Sequence, residues 1–231
     1  MGKLICVSSF SFSLPFVLRL SVVVMLNFVN FPSVFAQKSA EKDSLLKLLE
    51  ILPEDTNKVN ILNQLCFLSA KSDPKNSLKY GKRSKVLALK LSFKPGLIEA
   101  NSNLGRTYRF SGEYDQAIMH KEEALKEAQK IQDSSRIAKG LRQMGILHRL
   151  KGDFPAALKY YFSALKTYEN IKDKLREGHT LSSIGSLYYY QKKFQQSLRF
   201  HEKALEIHKS LEDIKNTAID YNNLGNVYSE F

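Results

Sequence analysis

Leu104-Gly105-Arg106-Thr107-Tyr108 recurs as Met144-Gly145-Ile146-Leu147-His148, as Ile184-Gly185-Ser186-Leu187-Tyr188, and as Leu224-Gly225-Asn226-Val227-Tyr228. Each recurrence falls 40 residues after the last. The same step relates Tyr114, Phe154 and Phe194, then Ala117, Ala157 and Ser197, then Ala124, Ala164 and Ala204, then Leu125, Leu165 and Leu205, and finally Asp133, Asp173 and Asp213. So many columns in register mark an internal repeat. A degraded earlier copy begins near Asn57, with Leu65-Cys66 in place of Leu-Gly and with Ser77 and Ser84 in place of the alanines.

Within one unit the apolar residues Ile137, Leu141, Met144, Leu147 and Leu150 fall at helical spacing over 134–150. Gly152-Asp153 then breaks the pattern before a second helix expected over Phe154 to Ile171. The Asp column at 133, 173 and 213 stands where the next helix should open, since Asp accepts hydrogen bonds from the free N–H groups of a first turn. Asp73-Pro74 does the same earlier, with proline where its lost donor costs nothing. Strand signals are absent after residue 36, so the expected fold is all-α: tandem helical hairpins.

The ends are read separately. Residues 1–36 hold Lys3 and Arg19, no acid, an apolar run over 20–26, and Val34-Phe35-Ala36 before Gln37. That pattern describes an export signal cut after Ala36, which by this reading places the mature chain outside the cytoplasm, on the periplasmic or extracellular side of a bacterium. An uncleaved membrane anchor competes, but Arg19, Asn27, Asn30 and Pro32 interrupt a run that needs about 20 apolar residues. Residues 37–56 form a partly helical lead-in, 57–94 a degenerate first unit, 95–133 a second, 134–173 a third and 174–213 a fourth. Residues 214–231 read as the first helix of an incomplete fifth, expected to fray.

Of 231 residues, 43% are hydrophobic and 25% charged, with a net charge of +12, a globular composition. Removing the leader lowers the charge to +10. Two cysteines make neither a disulfide framework nor a zinc site, and Cys66, flanked by Leu65, Phe67 and Leu68, is expected in the core.

The order hydrophobic-Gly-x-x-Tyr, Gly-x-Tyr/Phe at the turn, and alanines seven apart, as in Leu104, Gly105, Tyr108, Gly112, Tyr114, Ala117 and Ala124, resembles the tetratricopeptide repeat (TPR) family. HEAT-like repeats have a similar length without this Gly and Ala pattern. The resemblance spans roughly 57 to 231 and implies hairpins stacked as a right-handed superhelix. In it Gly105, Gly145, Gly185 and Gly225, with Ala117, Ala124, Ala157, Ala164 and Ala204, permit close helix approach, while Tyr108, Tyr188 and Tyr228 fill the gaps. His148 departs from the aromatic column and Lys192 from the turn glycine. The 40-residue unit is six longer than the family's 34. Such long units resemble those of kinesin light chains, G-protein modulators and bacterial TPR sensor regions.

Chemistry is nearly absent from the sequence. His201 and His208 lie seven apart rather than the three or four of a helical metal pair, so surface histidines, no metal and no cofactor are expected. Phosphate loops, nucleophile elbows and kinase patterns do not appear, and no catalytic residue is assigned. What remains is a surface. In the resembling family the first helices line a concave peptide groove. Carried onto this chain it holds Ser102, Asn103, Arg106 and Arg109, then Lys139, Arg142, Gln143, Ile146 and Arg149. Ser182, Ser183, Ser186 and Tyr189 follow, then Asn222, Asn223, Asn226 and Ser229.

Asn103, Gln143 and Asn223 can serve an extended peptide backbone, and Arg136, Lys139, Arg142, Arg149 and Lys151 follow one another with no acid between Asp133 and Asp153. A basic, amide-lined groove favours a protein or peptide with acidic segments. A solvated helix face is the alternative for any single one of these residues. Nucleic acid is disfavoured, because no aromatic platform alternates with the charges. Lys121, Lys166 and Lys203, on second helices, are expected outside the groove. Two functions follow: an exported, non-catalytic scaffold, or the sensory front of a membrane-bound histidine kinase or nucleotide cyclase. The membrane would enter only through an uncleaved leader or a downstream segment.

Overall fold

The computed structural model describes the backbone of residues 31–231 and the side chains from residue 40 onward. Residues 1–30 of the expected leader lie outside the described residues, and 31–36 open helix α1, Phe31–Ile51. The chain divides into two units within that helix, after Lys47, and the unit from Leu48 to Phe231 carries the repeats. Its helices are α2 (Thr56–Ser69), α3 (Pro74–Lys90), α4 (Lys94–Phe110), α5 (Tyr114–Lys130), α6 (Ser134–Leu150), α7 (Phe154–Asn170), α8 (Lys174–Tyr190), α9 (Phe194–Ser210) and α10 (Ile214–Tyr228). The described residues contain no strand. Successive helices pack in chain order, and α2 also meets α4, as in a solenoid of hairpins.

Local chemistry sets the rhythm. From α3 to α9 every helix has 17 residues. Each ends in one left-handed residue: Ser92, Gly112, Gln132, Gly152, Lys172, Lys192 and Glu212, spaced every 20 residues. At each such end the N–H of the next residue reaches back to the last helical turn, as Asp133 N does to Ala128 O and Lys193 N to Tyr188 O, satisfying carbonyls that the helix leaves free. The 40-residue repeat is thus two near-identical helix-turn steps. Asp55, Asp73, Asp133, Asp153, Asp173 and Asp213 each cap a helix by accepting the N–H three residues on, as the Asp column implied.

The core follows from paired sizes across each hairpin. Gly145 sits under the ring of Tyr161, Gly185 under His201, and Gly105 under the stem of Lys121; a Cβ at these glycines would approach to 2.6, 2.9 and 3.0 Å. In the first hairpin the sizes are exchanged, with Cys66 in the glycine column and Gly81 facing it, where an added Cβ would lie 2.9 Å from Sγ. A second column pairs Ala138 with Tyr168 and Gly178 with His208. Between these layers the aromatic column stacks on a partner in the second helix, Tyr108 on His120, His148 on Tyr160 and Tyr188 on Phe200, with ring centroids 5.1 to 5.5 Å apart. Ala117, Ala157, Ala164, Ser197 and Ala204 are wholly buried where the helices approach most closely.

One expectation is corrected here. His201 and His208 are not surface residues, each being 1% exposed. They occupy the large positions opposite Gly185 and Gly178, so packing decides their burial, not polarity. His208 also meets the buried carboxylate of Asp220 through Nδ1, tying α9 to α10. His148 does take the aromatic's place, stacked on Tyr160. Cys66 is buried, with Sγ 3.4 Å from Ser77 Oγ and its thiol pKa raised by burial. Helix α10 buries Asp220, Leu224 and Val227 on one side, while Tyr221, Gly225 and Tyr228 are exposed on the other.

Candidate binding groove

The first helices α4 and α6 lie side by side and form the wall of a cleft of about 210 Å³. Ser102, Asn103, Arg106 and Arg109 come from α4, and Lys139, Arg142, Gln143 and Ile146 from α6. Phe67 of α2, Lys121 of α5 and Leu147 of α6 complete it, with Glu99 the acid in its lining. An adjoining cleft of about 300 Å³ shares Glu99, Ser102, Lys121, Lys139 and Gln143.

The charges here are held apart from compensation. Among the described residues Arg106, Arg109, Lys139 and Arg142 form no ion pair with a carboxylate, whereas Arg136 pairs with Asp133, Lys151 with Asp115, Arg176 with Asp173 and Lys85 with Glu123. The guanidinium of Arg106 lies 4.1 Å above the Phe67 ring and that of Arg109 lies 4.3 Å above Phe110, so aromatic faces help hold both groups in place. Burial, then the charge of Arg109, lowers the pKa of Arg106, and a guanidinium so placed remains cationic. The Nε atoms of Arg106 and Arg142 are buried without a hydrogen-bond partner.

Lys121 is the residue that sequence reasoning misplaced. It is 4% exposed, not a solvated lysine on an outer helix. Its stem passes over Gly105 and delivers Nζ between α4 and α6, where it donates to Ser102 O at 2.6 Å, Ser102 Oγ at 2.8 Å and Gln143 Oε1. Burial first, then the positive Lys139, Arg106 and Arg109 against the opposing Glu99, push its pKa down to about 7. The signal was present in the register: 121, 161 and 201 form one column, and that column faces the glycines.

Several expected groove residues are otherwise engaged. Asn103 is buried and its Nδ2 donates to Asn63 O at 3.0 Å, stitching α4 to α2 instead of awaiting a peptide. The carbonyl of Gln143 is occupied by Lys121. Asn223 Nδ2 lies 3.4 Å from Ser182 Oγ. Ser183 and Ser186 turn their hydroxyls back to His179 O and Ser182 O, and Ser229 does so to Asn226 O. Tyr189 donates to Glu230 Oε1 at 3.0 Å. Arg149 lies outside the cleft lining, its guanidinium 5.6 Å from the centre of the Tyr190 ring. Asn226 is exposed on α10. The amide-lined groove thus contracts to a basic cleft between the second and third hairpins, because short polar side chains satisfy themselves on nearby backbone.

The described residues contain no group of three His, Cys, Asp or Glu able to hold a metal, and no helix among them is long and apolar enough to cross a membrane.

The Tetratricopeptide repeat family model matches residues 96–170, 136–210 and 176–231, three windows each displaced by one 40-residue unit and together covering more than half of the chain. The chain belongs to the tetratricopeptide repeat family. No curated protein matches its sequence. Among solved structures it is similar to BtubC (BKLC) from P. vanneervenii, at 22% identity and a TM-score of 0.70 over 84% of this chain and 82% of that one. It is similar also to a Signal Transduction ATPase with Numerous Domains (STAND) protein with a tetratricopeptide repeat sensor from Pyrococcus horikoshii, at 18% identity and TM-score 0.71, covering 79% of this chain but 29% of that one. A third is the Rap conjugation gene regulator of plasmid pLS20 in complex with the Phr* peptide, at 18% identity and TM-score 0.67, covering 79% of this chain and 51% of the regulator. These likenesses establish the solenoid fold.

Proposed function

We propose that this chain is a non-catalytic scaffold that binds an extended, acidic segment of a protein or peptide in the cleft between its second and third hairpins. The observation that carries the reading is the set of four cations, Arg106, Arg109, Lys139 and Arg142, without a carboxylate partner among the described residues, when basic residues nearby are paired. Arg can engage a carboxylate with two parallel hydrogen bonds, and stacking on Phe67 and Phe110 reduces the motion lost on doing so. Ile146 offers an apolar anchor in the same wall. The peptide bound by the Rap regulator of pLS20 supports peptide capture as a use of this architecture.

Solvent-exposed pairs contribute about 0.2–1 kcal/mol each, so four of them give weak, salt-sensitive binding. Replacing Arg106, Lys139 and Arg142 together by Glu should abolish capture of an acidic peptide pool at low salt. The same change at Lys166, Lys203 and Lys209, all exposed on second helices, should leave capture intact. Equal losses from the two triple variants would assign binding to net charge and sink the cleft.

Export belongs to the same reading and rests on the leader pattern of residues 1–36. Amino-terminal sequencing of chain recovered outside the cytoplasm should read from Gln37. An intact Met1 start in the membrane fraction would favour an anchor instead. The tetratricopeptide sensor of the STAND protein favours a second reading, a sensory part of a longer signalling protein. Coding sequence running past Phe231 into a membrane span and catalytic motifs would decide for it.

A further inference from the structure

The cleft between α4 and α6 carries more positive charge than a single carboxylate can answer. Arg106, Arg109, Lys121, Lys139 and Arg142 line it against Glu99 alone. Their roles differ. Lys121 Nζ is already engaged by Ser102 O, Ser102 Oγ and Gln143 Oε1, so it offers a ligand no free donor but a fixed point at which a proton can be taken up. Arg106 and Arg142 contribute guanidinium groups that line the cleft without a carboxylate partner, and Arg106 is held against the Phe67 ring. A fixed proton-accepting amine ringed by guanidinium groups without carboxylate partners suits an anion with several acceptor oxygens and more than one negative charge. A phosphoryl group has three such oxygens and a charge near −2 at neutral pH.

We propose that the cleft around Lys121 is a phosphoryl site, which takes the phosphate of a phosphorylated serine or threonine carried by the segment lying between α4 and α6. The inference rests on the acidic-segment reading above and sharpens its ligand. It also has a consequence that general surface charge lacks. Lys121 faces Glu99, Arg106 and Arg109 from α4 and Lys139 and Arg142 from α6, a surplus of positive charge that favours its neutral form. A dianion placed among these groups restores the proton to Lys121. At pH 8 a phosphomonoester is already fully ionised, its second pKa being about 6, so proton uptake on binding there reports on Lys121 and not on the ligand.

The experiment is calorimetry on the full chain at pH 8, in two buffers of different ionisation enthalpy. The ligands are one capped acidic hexapeptide carrying Ser, Glu or phosphoserine at a central position, and inorganic phosphate. The phosphoserine peptide should bind at least about tenfold tighter than the Glu peptide and take up close to one proton. Inorganic phosphate should compete only at far higher concentration. Lys121→Met, its fold checked by circular dichroism, should abolish the uptake and shrink the preference. Arg106→Gln with Arg142→Gln should remove the preference while Lys121 keeps its hydrogen bonds to Ser102 and Gln143. Equal affinity for the Glu and phosphoserine peptides without proton uptake would overturn the phosphoryl site and leave the acidic cleft standing. Failure of all three peptides would overturn both. Inorganic phosphate binding as tightly as the phosphopeptide would overturn the assignment to a peptide-borne group.

Discussion

Gly145→Ala and Gly225→Ala make the same chemical change in the same repeat column and should move stability in opposite directions. A Cβ at Gly145 would lie 2.6 Å from Cδ1 and 2.7 Å from Cε1 of Tyr161. Non-bonded carbons rest near 3.5–4.0 Å, so the ring or the helix must move by about 1 Å. Tyr161 is 1% exposed and packed with Ala157, Ile184 and Leu187, which leaves it nowhere to go. Overpacking of this kind costs about 2–3 kcal/mol, and the better helix propensity of Ala returns about 1 kcal/mol, for a net loss of about 1–2 kcal/mol. At Gly225 a Cβ meets nothing within 4 Å, so only the propensity gain remains, about 0.5–1 kcal/mol. Urea unfolding followed by circular dichroism, with hydrogen exchange to localise the effect in α10, reads both. Destabilisation by both variants, or by neither, would refute the claim that glycine in this column exists to admit a large side chain from the second helix.

Three further outcomes follow from the packing. Lys192 holds a left-handed conformation at φ +57, the strain falling on a residue with a Cβ, so Lys192→Gly should stabilise by about 0.5–1 kcal/mol, raising Tm by roughly 1–3 °C in a thermal melt. The His201 imidazole is pushed down to about 4 by burial, from an ordinary 6.5. Its folded pKa lies below the unfolded one, so the unfolded chain protonates first as pH falls: stability is whole above about 6.5 and declines through the window to 4, by up to about 3 kcal/mol. His201→Tyr, the residue of this column in the third hairpin, should flatten that decline in denaturation curves taken between pH 7 and 4. Asp220→Ala leaves His208 Nδ1 buried without its partner, and stranding a buried polar group costs about 1–3 kcal/mol. Hydrogen exchange in α10 should then accelerate while α4 to α7 keep their protection.

The fold was legible because the helix pair repeats without insertion, so that Gly105, Gly145, Gly185 and the alanines fall in register. The finer 20-residue rhythm was hidden. Its turns share a left-handed residue, but Ser92, Gln132, Lys172, Lys192 and Glu212 take it without being glycine, held there by the hydrogen bonds of the helix ends. The basic cleft was legible from Arg106, Arg109, Lys139 and Arg142, whose helical spacing gathers them on adjacent first helices. Its centre was not, because Lys121 was judged by its charge when its column, shared with Tyr161 and His201, faces the glycines. The same misjudgement put His201 and His208 on the surface. Asn103 and Ser183 show the opposite limit. Which hydrogen bond a short polar side chain makes depends on backbone from a neighbouring helix or turn, and no pattern along one helix reveals it.

The most direct measurement of the central claim is a site-resolved titration of the isotope-labelled chain with an acidic peptide, following amide and guanidinium resonances by NMR at low and at physiological salt. Shifts confined to residues of α4 and α6 around Arg106, Lys139, Arg142 and Ile146, weakening as salt rises, are the predicted result. Shifts spread evenly over Lys166, Lys203 and Lys209 on the second helices would contradict it.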